Sequence, residues 1–229
     1  MRCCYTLLAL LVFSGLWAQE ELVKKEVDSL FREDQFYCNV SINNIQHPPS
    51  GLRQQKISPY FAFGILRDMP INKNRTYAIA AGVGYAVSVL NNNLQVTQTP
   101  DASFNYSMVG NTVHYSKNKT TLHYIEFPIE LRWRNATFDS HKFWRIYTGF
   151  KISYLLSSKY VFESDENNYS LKNDNNLNKM QYGCYIASGY NSLNVYFYYG
   201  LNPIFKSSYV DGQHNTMNNF NLGVQFYIL

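Results

Sequence analysis

Two neighbouring stretches of this chain put charge directly behind bulky hydrophobes. From Leu122 to Arg134, the residues Ile125, Phe127, Ile129, Leu131 and Trp133 alternate with Tyr124, Glu126, Pro128, Glu130 and Arg132. From Phe143 to Ser157, the residues Trp144, Ile146, Phe150, Ile152, Tyr154 and Leu156 alternate with Arg145, Tyr147, Gly149, Lys151 and Ser153. A period of two is that of a β-strand. A soluble barrel would bury the large apolar row and leave the charges in water. A barrel in a bilayer has lipid outside and packed polar side chains inside, which suits the apolar row facing out and the charges facing in.

The last stretch, Asn219 to Leu229, has the same character. Phe220, Leu222, Val224, Phe226 and Ile228 alternate with Asn219, Asn221, Gly223, Gln225 and Tyr227. Alone it reads equally well as an amphipathic edge strand. It also resembles the C-terminal assembly signal of outer-membrane proteins, polar–x–Gly–x–x–aromatic–x–hydrophobic, at Asn221, Gly223, Phe226 and Ile228. The departure is the terminal Leu229, where many such proteins end in Phe.

The N-terminus limits where such a chain can reside. Arg2 precedes an apolar run from Tyr5 to Trp17, with Ala18 as a small residue for cleavage, so residues 1–18 read as a secretory signal peptide. Cys3 and Cys4 precede that run and are not an acylation site. The mature chain keeps Cys38 and Cys184, both on predicted apolar faces, and they read as small hydrophobes rather than a disulfide. No later apolar run has the length of a spanning helix, so the chain is expected to cross the membrane as strands. Charged residues are only 16% of the chain and aromatics 17%, with mean hydropathy −0.30. Polarity therefore comes from Asn, Ser, Thr, Gln and Tyr, as expected of strands and solvated loops. The net charge of +4 comes without a basic cluster interleaved with aromatics, which argues against nucleic acid as a partner.

Residues 19–34 read as a periplasmic N-terminal segment, a short amphipathic helix or loose lead-in. Residues 35–229 read as the barrel. Eight strands are expected at about 35–44, 58–66, 77–90, 122–134, 143–157, 179–190, 193–201 and 219–229. In the third, Tyr77, Ile79, Val83, Tyr85, Val87 and Val89 face lipid. Ala78, Ala80, Gly82, Gly84, Ala86 and Ser88 leave room in a narrow interior. The links 45–57, 91–121, 158–178 and 202–218 are long and polar. The links 67–76, 135–142 and 191–192 are shorter turns. Long external loops and short periplasmic turns mark this barrel class. The fold expected is all-β: an eight-stranded antiparallel transmembrane β-barrel with a side-chain-filled lumen, in the cell outer membrane.

Pairing Trp133 with Trp144 would put Glu126 opposite Lys151 and Glu130 opposite Tyr147, with Arg132 and Arg145 near the periplasmic rim. Eight strands leave an interior that side chains can fill, and charges buried there must be paired. Glu126, Glu130, Arg132, Arg145 and Lys151 are therefore read as a lumenal charge network that plugs the barrel; a narrow conduit is the alternative. The histidines His47, His114, His123, His141 and His214 lie in no nucleophile motif and in no metal-ligand spacing. No catalytic residue, metal or cofactor is expected. The Asn-x-Ser/Thr triplets at Asn39, Asn74 and Asn118 follow from an Asn-rich composition.

Five segments carry a family resemblance: DSLFREDQFY (Asp28 to Tyr37), GILRDMPINKNR (Gly64 to Arg75), HYIEFPIELRWR (His123 to Arg134), KFWRIYTGFKISY (Lys142 to Tyr154) and YYGLNPIF (Tyr198 to Phe205). They resemble the PorT family of Bacteroidetes outer-membrane barrels, over most of the mature chain except 91–121 and 158–178. The resemblance implies a non-enzymatic accessory of type IX protein secretion and gliding that acts by protein–protein interaction, and it implies no catalytic residues. The partners expected are outer-membrane lipid, the barrel-assembly machinery during insertion, and other type IX components. The alternatives are a generic surface or adhesion barrel, a narrow small-solute channel, and then an outer-membrane lipid-modifying enzyme.

Overall fold

A computed structural model of the chain describes residues 33–110, 113–135, 144–206 and 209–228. The expected signal peptide and most of the lead-in lie outside the described residues. The last two residues of that lead-in, Glu33 and Asp34, already belong to a strand.

Eight strands form the wall: β1 (Glu33–Gln46), β2 (Pro59–Pro70), β3 (Tyr77–Asn91), β6 (Tyr115–Arg134), β7 (Trp144–Ser164), β9 (Met180–Tyr190), β10 (Leu193–Gly200) and β13 (Asn218–Ile228). Their order is β6-β3-β2-β1-β13-β10-β9-β7, and β6 pairs with β7 to close the ring. Every pairing in the wall is antiparallel. Closure removes the free edges that lipid could not satisfy. The first and last strands meet along the seam from Phe36↔Ile228 to Gln46↔Asn218, so both ends of the wall lie at one rim. The links after Pro70 and after Tyr190 are at that rim, while most of the expected link 135–142 lies outside the described residues; in Asn191–Ser192, Asn191 takes the positive φ (58°) that this tight turn requires.

The faces follow the alternation. Phe36, Phe63, Ile129, Leu131, Trp144, Leu193 and Ile228 are exposed on the outer wall, and Cys38 and Cys184 are free thiols on the same surface. The small residues of β3 do open space inside. The ring of Tyr37 lies across the paired glycines Gly64 and Gly84; a Cβ on Gly64 would stand 2.6 Å from Tyr37 Cε1. Among the described residues no helix is long and apolar enough to cross a membrane.

Three expectations need correction. The link 67–76 does not begin at Arg67: β2 runs on to Pro70, so Asp68 continues the inward row Tyr60, Ala62, Leu66 and is fully buried. The links 91–121, 158–178 and 202–218 are not plain polar loops. They contain β4 (Leu94–Gln98), β5 (Phe104–Met108), β8 (Asn168–Lys172), β11 (Tyr209–Val210) and β12 (Gln213–His214), and β6 and β7 project well past the wall. β12, β11, β5 and β4 make a second sheet, and β8 pairs back on β7. Leu94, Val96, Tyr106, Phe162, Leu177, Ile204, Phe205, Val210 and Met217 are buried there. The external links thus share a core and form a cap. Each link alone is too sparse in apolar residues to announce a core, which appears only when all of them converge.

The third correction is the register. Trp133 pairs with Ile146, Glu126 with Ser153 and Glu130 with Gly149, two residues from the pairing expected above. An even slip leaves every side chain on its expected face, so the alternation could not detect it. A bulge follows at the other rim, where His123 pairs with Ser157 and Leu156 and Ser157 are both exposed.

Candidate functional site

The lumen is organised as polar layers stacked along the barrel. Nearest the rim of the short turns is a carboxylate–arginine layer. Arg132, 2% exposed, reaches Glu130 Oε2 through Nε and Nη2 (both 2.6 Å), Asp68 Oδ1 at 2.7 Å and Gln35 Oε1 at 2.8 Å. Arg134 donates to the other Asp68 oxygen at 2.9 Å. The hydroxyls of Tyr185 and Tyr227 both donate to Glu130 Oε1 at 2.8 Å. The Arg132 guanidinium stacks over the Tyr147 ring (4.6 Å) and near that of Tyr227 (5.3 Å). Arg145 is buried beside the same two rings. Ala80 lies in register between Asp68 and Glu130, and its lack of side-chain bulk lets both carboxylates into one layer.

The next layer is built on one ion pair. Lys151 Nζ lies 3.0 Å from Glu126 Oε1. Tyr60 donates its hydroxyl to the same oxygen at 2.5 Å and accepts from Lys151 at 2.7 Å; Ser153 donates to Glu126 at 3.2 Å. The ammonium also sits 4.6 Å from the centre of the Tyr198 ring. A cavity of about 10 Å³ remains beside this pair, bordered by Tyr37, Glu126, Lys151 and Tyr196, which is about one water molecule's worth of space. Bordering the same cavity, Asn39 donates to Gln225 at 3.0 Å and Gln225 to Tyr227 of the arginine layer at 2.6 Å, with Ser41 bonded to Asn39.

All the lumenal charges named from the sequence are buried, and Glu126 meets Lys151 even though the two are not opposite in the ladder. Glu130 forms its ion pair with Arg132, its neighbour on the same face of β6, and stands opposite Gly149 rather than Tyr147 of β7. Asp68 and Arg134 were missed. For Asp68 the available signal was parity: the inward row of β2 continues through it if Pro70 is allowed to end a strand. Buried tyrosine hydroxyls supply further donors to Glu126 and Glu130, a role the alternation does not distinguish from packing, and Glu126 Oε2 is buried without one. Of the C-terminal signal, Asn221 is buried inward, Gly223 faces Ser41 across the seam, and Phe226 and Ile228 lie on the outer wall of β13. A Cβ on Gly223 would stand 2.6 Å from that of Ser41.

The cap adds one notable polar contact. Tyr106 donates to Asp174 Oδ2 at 2.5 Å, and burial pushes the Asp174 carboxyl above its ordinary value. Among the described residues no group of His, Cys, Asp and Glu is placed to hold a metal ion.

A family model for the outer membrane protein beta-barrel domain matches residues 17–206. Among solved structures, the attachment invasion locus protein Ail of Yersinia pestis, crystallised with the heparin analogue sucrose octasulfate, shares 10% identity. That match covers 86% of this chain and 99% of that one, with a TM-score of 0.41. A triple mutant of the Rhodopseudomonas blastica porin shares 10% identity and covers 86% of this chain and 100% of that one, with a TM-score of 0.22. No curated protein matches.

Proposed function

The chain belongs to the outer membrane protein beta-barrel domain family, and we propose that within it this barrel is a non-enzymatic accessory of type IX protein secretion and gliding, acting by protein–protein contact. The observation that carries the reading is the filled lumen. Glu126, Lys151, Asp68, Glu130 and Arg132 are spent on one another and on tyrosine hydroxyls, and about 10 Å³ remains beside the central pair. A barrel with so little internal space has its surfaces to work with: a lipid-facing wall and a folded external cap. Neither a cofactor nor nucleic acid enters this reading; the barrel-assembly machinery would engage the seam strand bearing Asn221, Gly223, Phe226 and Ile228.

The secretion assignment itself rests on the five segments that resemble the PorT family. A generic surface or adhesion role is the second reading, favoured by the cap, whose four-stranded sheet and shared core make a folded external face. Cross-linking in native outer membranes, detergent extraction and affinity capture separate the two. Recovery of type IX components, together with loss of cargo secretion on gene deletion, is the expected result. Intact secretion in the deletion strain would overturn the accessory role and leave the surface role. Stable porin-like conductance of the purified protein in planar bilayers would overturn both.

A further inference from the structure

The outer face of the barrel is electrically one-sided where the wall enters the cap. On β6 the lipid-facing row ends at Ile125 and continues upward as His123, Thr121, Lys119 and Lys117; on β7 it ends at Leu156 and continues as Ser157, Lys159, Val161 and Glu163. Lys117 is neutralised by Glu163 at 2.8 Å. Lys159 pairs directly with Lys172 of β8, and Lys119 stands diagonally across from Lys159 through the Lys119↔Val161 pair. Lys119, Lys159 and Lys172 have no ion-pair partner among the described residues. Outward positions at the same rim on the other wall strands, Gln46, Pro59, Asn91, Met180, Tyr199 and Asn218, are uncharged.

Like charges directly opposite in a ladder are destabilising, so this arrangement costs stability in the isolated protein. A second observation lies beside it. Where β3 stops at Asn91, the edge of β6 borders a cavity of about 50 Å³ lined by Lys56, Lys117, Asn118, Lys119 and Asn91. Asn118 is 5% exposed, and neither its amide oxygen nor its nitrogen has a partner. Just below, Tyr85 and His123 are joined at 2.6 Å on the lipid side, a polar aromatic pair at the level where such barrels meet the headgroups.

We propose that this ledge binds the phosphorylated headgroup of an outer-leaflet lipid, with Lys119, Lys159 and Lys172 as its cationic contacts. The height selects a lipid over a soluble anion: the same strands carry acyl-facing side chains immediately beneath, and lysine stems reach along such a boundary with their ammonium groups in the headgroup layer. One bound headgroup would relieve the Lys159–Lys172 repulsion and orient the barrel, leaving the uncharged side of the wall for other contacts.

The test is native mass spectrometry of the purified full barrel titrated with diphosphoryl lipid A, dephosphorylated lipid A, inorganic phosphate or dextran sulfate. Diphosphoryl lipid A should bind in preference to the dephosphorylated form, and binding should weaken as salt is raised. The variant combining Lys119→Gln, Lys159→Gln and Lys172→Gln should lose roughly a hundredfold in affinity, at about fivefold per lysine. The matching Lys→Arg variant should retain it. Folding of each variant is checked by the heat-dependent shift of the barrel band on a gel. Equal lipid binding by the folded Gln variant would overturn the proposal. So would salt-independent binding by the wild type, a measurement that needs no variant. Equally strong competition by inorganic phosphate, or capture of dextran sulfate without lipid, would also overturn it, the last in favour of a soluble polyanion.

Discussion

Lys151 stands opposite Pro128 in the β6–β7 ladder, yet its ammonium lies 3.0 Å from a carboxylate oxygen of Glu126, one step along the same inward row. The long lysine stem crosses the diagonal. Pro128 has no side-chain acceptor that could compete for the ammonium. Tyr60 then bridges the pair as donor to one member and acceptor from the other.

That relationship makes a double-mutant cycle informative. Glu126→Gln or Lys151→Met alone should each cost on the order of 3–5 kcal/mol, because the partner is left charged and buried. The double variant should recover much of the loss. Thermal unfolding of the detergent-solubilised barrel measures all three. Additive losses would mean the two residues are not coupled.

Asp68 compensates two arginines at once, at 2.7 and 2.9 Å. Asp68→Asn keeps the shape and removes the charge, so Arg132 keeps only Glu130 and Arg134 loses its carboxylate. The expected cost is at least that of breaking one buried pair, about 3–5 kcal/mol, read as a lowered urea midpoint in refolding into lipid vesicles. A midpoint within error of wild type would remove Asp68 from the network.

The two faces of β3 should respond oppositely to polar substitution. Val83 is 44% exposed on the wall, and Val83→Arg should cost roughly 2–4 kcal/mol if it lies near the bilayer midplane. Ala80→Ser, inside and between Asp68 and Glu130, adds a hydroxyl among acceptors and should be mild. The same vesicle refolding assay compares them, and equal tolerance would contradict the face assignment.

The cap should loosen as pH rises. Burial raises the Asp174 carboxyl, so the folded cap holds that proton more tightly than the unfolded chain does. Its contribution is therefore fully present below the ordinary carboxylate range and lost as pH rises through it toward the raised folded value. Asp174→Asn can still accept from Tyr106 and should flatten the dependence. Hydrogen exchange of amides in 94–108 and 168–177, corrected for intrinsic rates, should show protection that falls as pH rises above the ordinary carboxylate range in the wild type only. A parallel fall in the Asn variant would assign the effect to another group.

Period-two alternation in the single chain was enough to determine the barrel, its eight wall strands, the lipid-facing rows and the inward placement of Glu126, Glu130, Arg132, Arg145 and Lys151. In a closed antiparallel wall, parity alone decides which solvent a side chain meets. Parity cannot count: a slip of two residues moves no side chain to the other face, so the β6–β7 register was decided by the closed ring and the bulge at His123. Charge pairing was likewise tertiary. Asp68 became the partner of Arg132 and Arg134 because β2 continues past the expected turn and Ala80 leaves room between two carboxylates. The cap was the least legible part. Its core is assembled from Leu94, Tyr106, Phe162, Ile204 and Val210 on separate links, and burial shared among links has no period in any one of them.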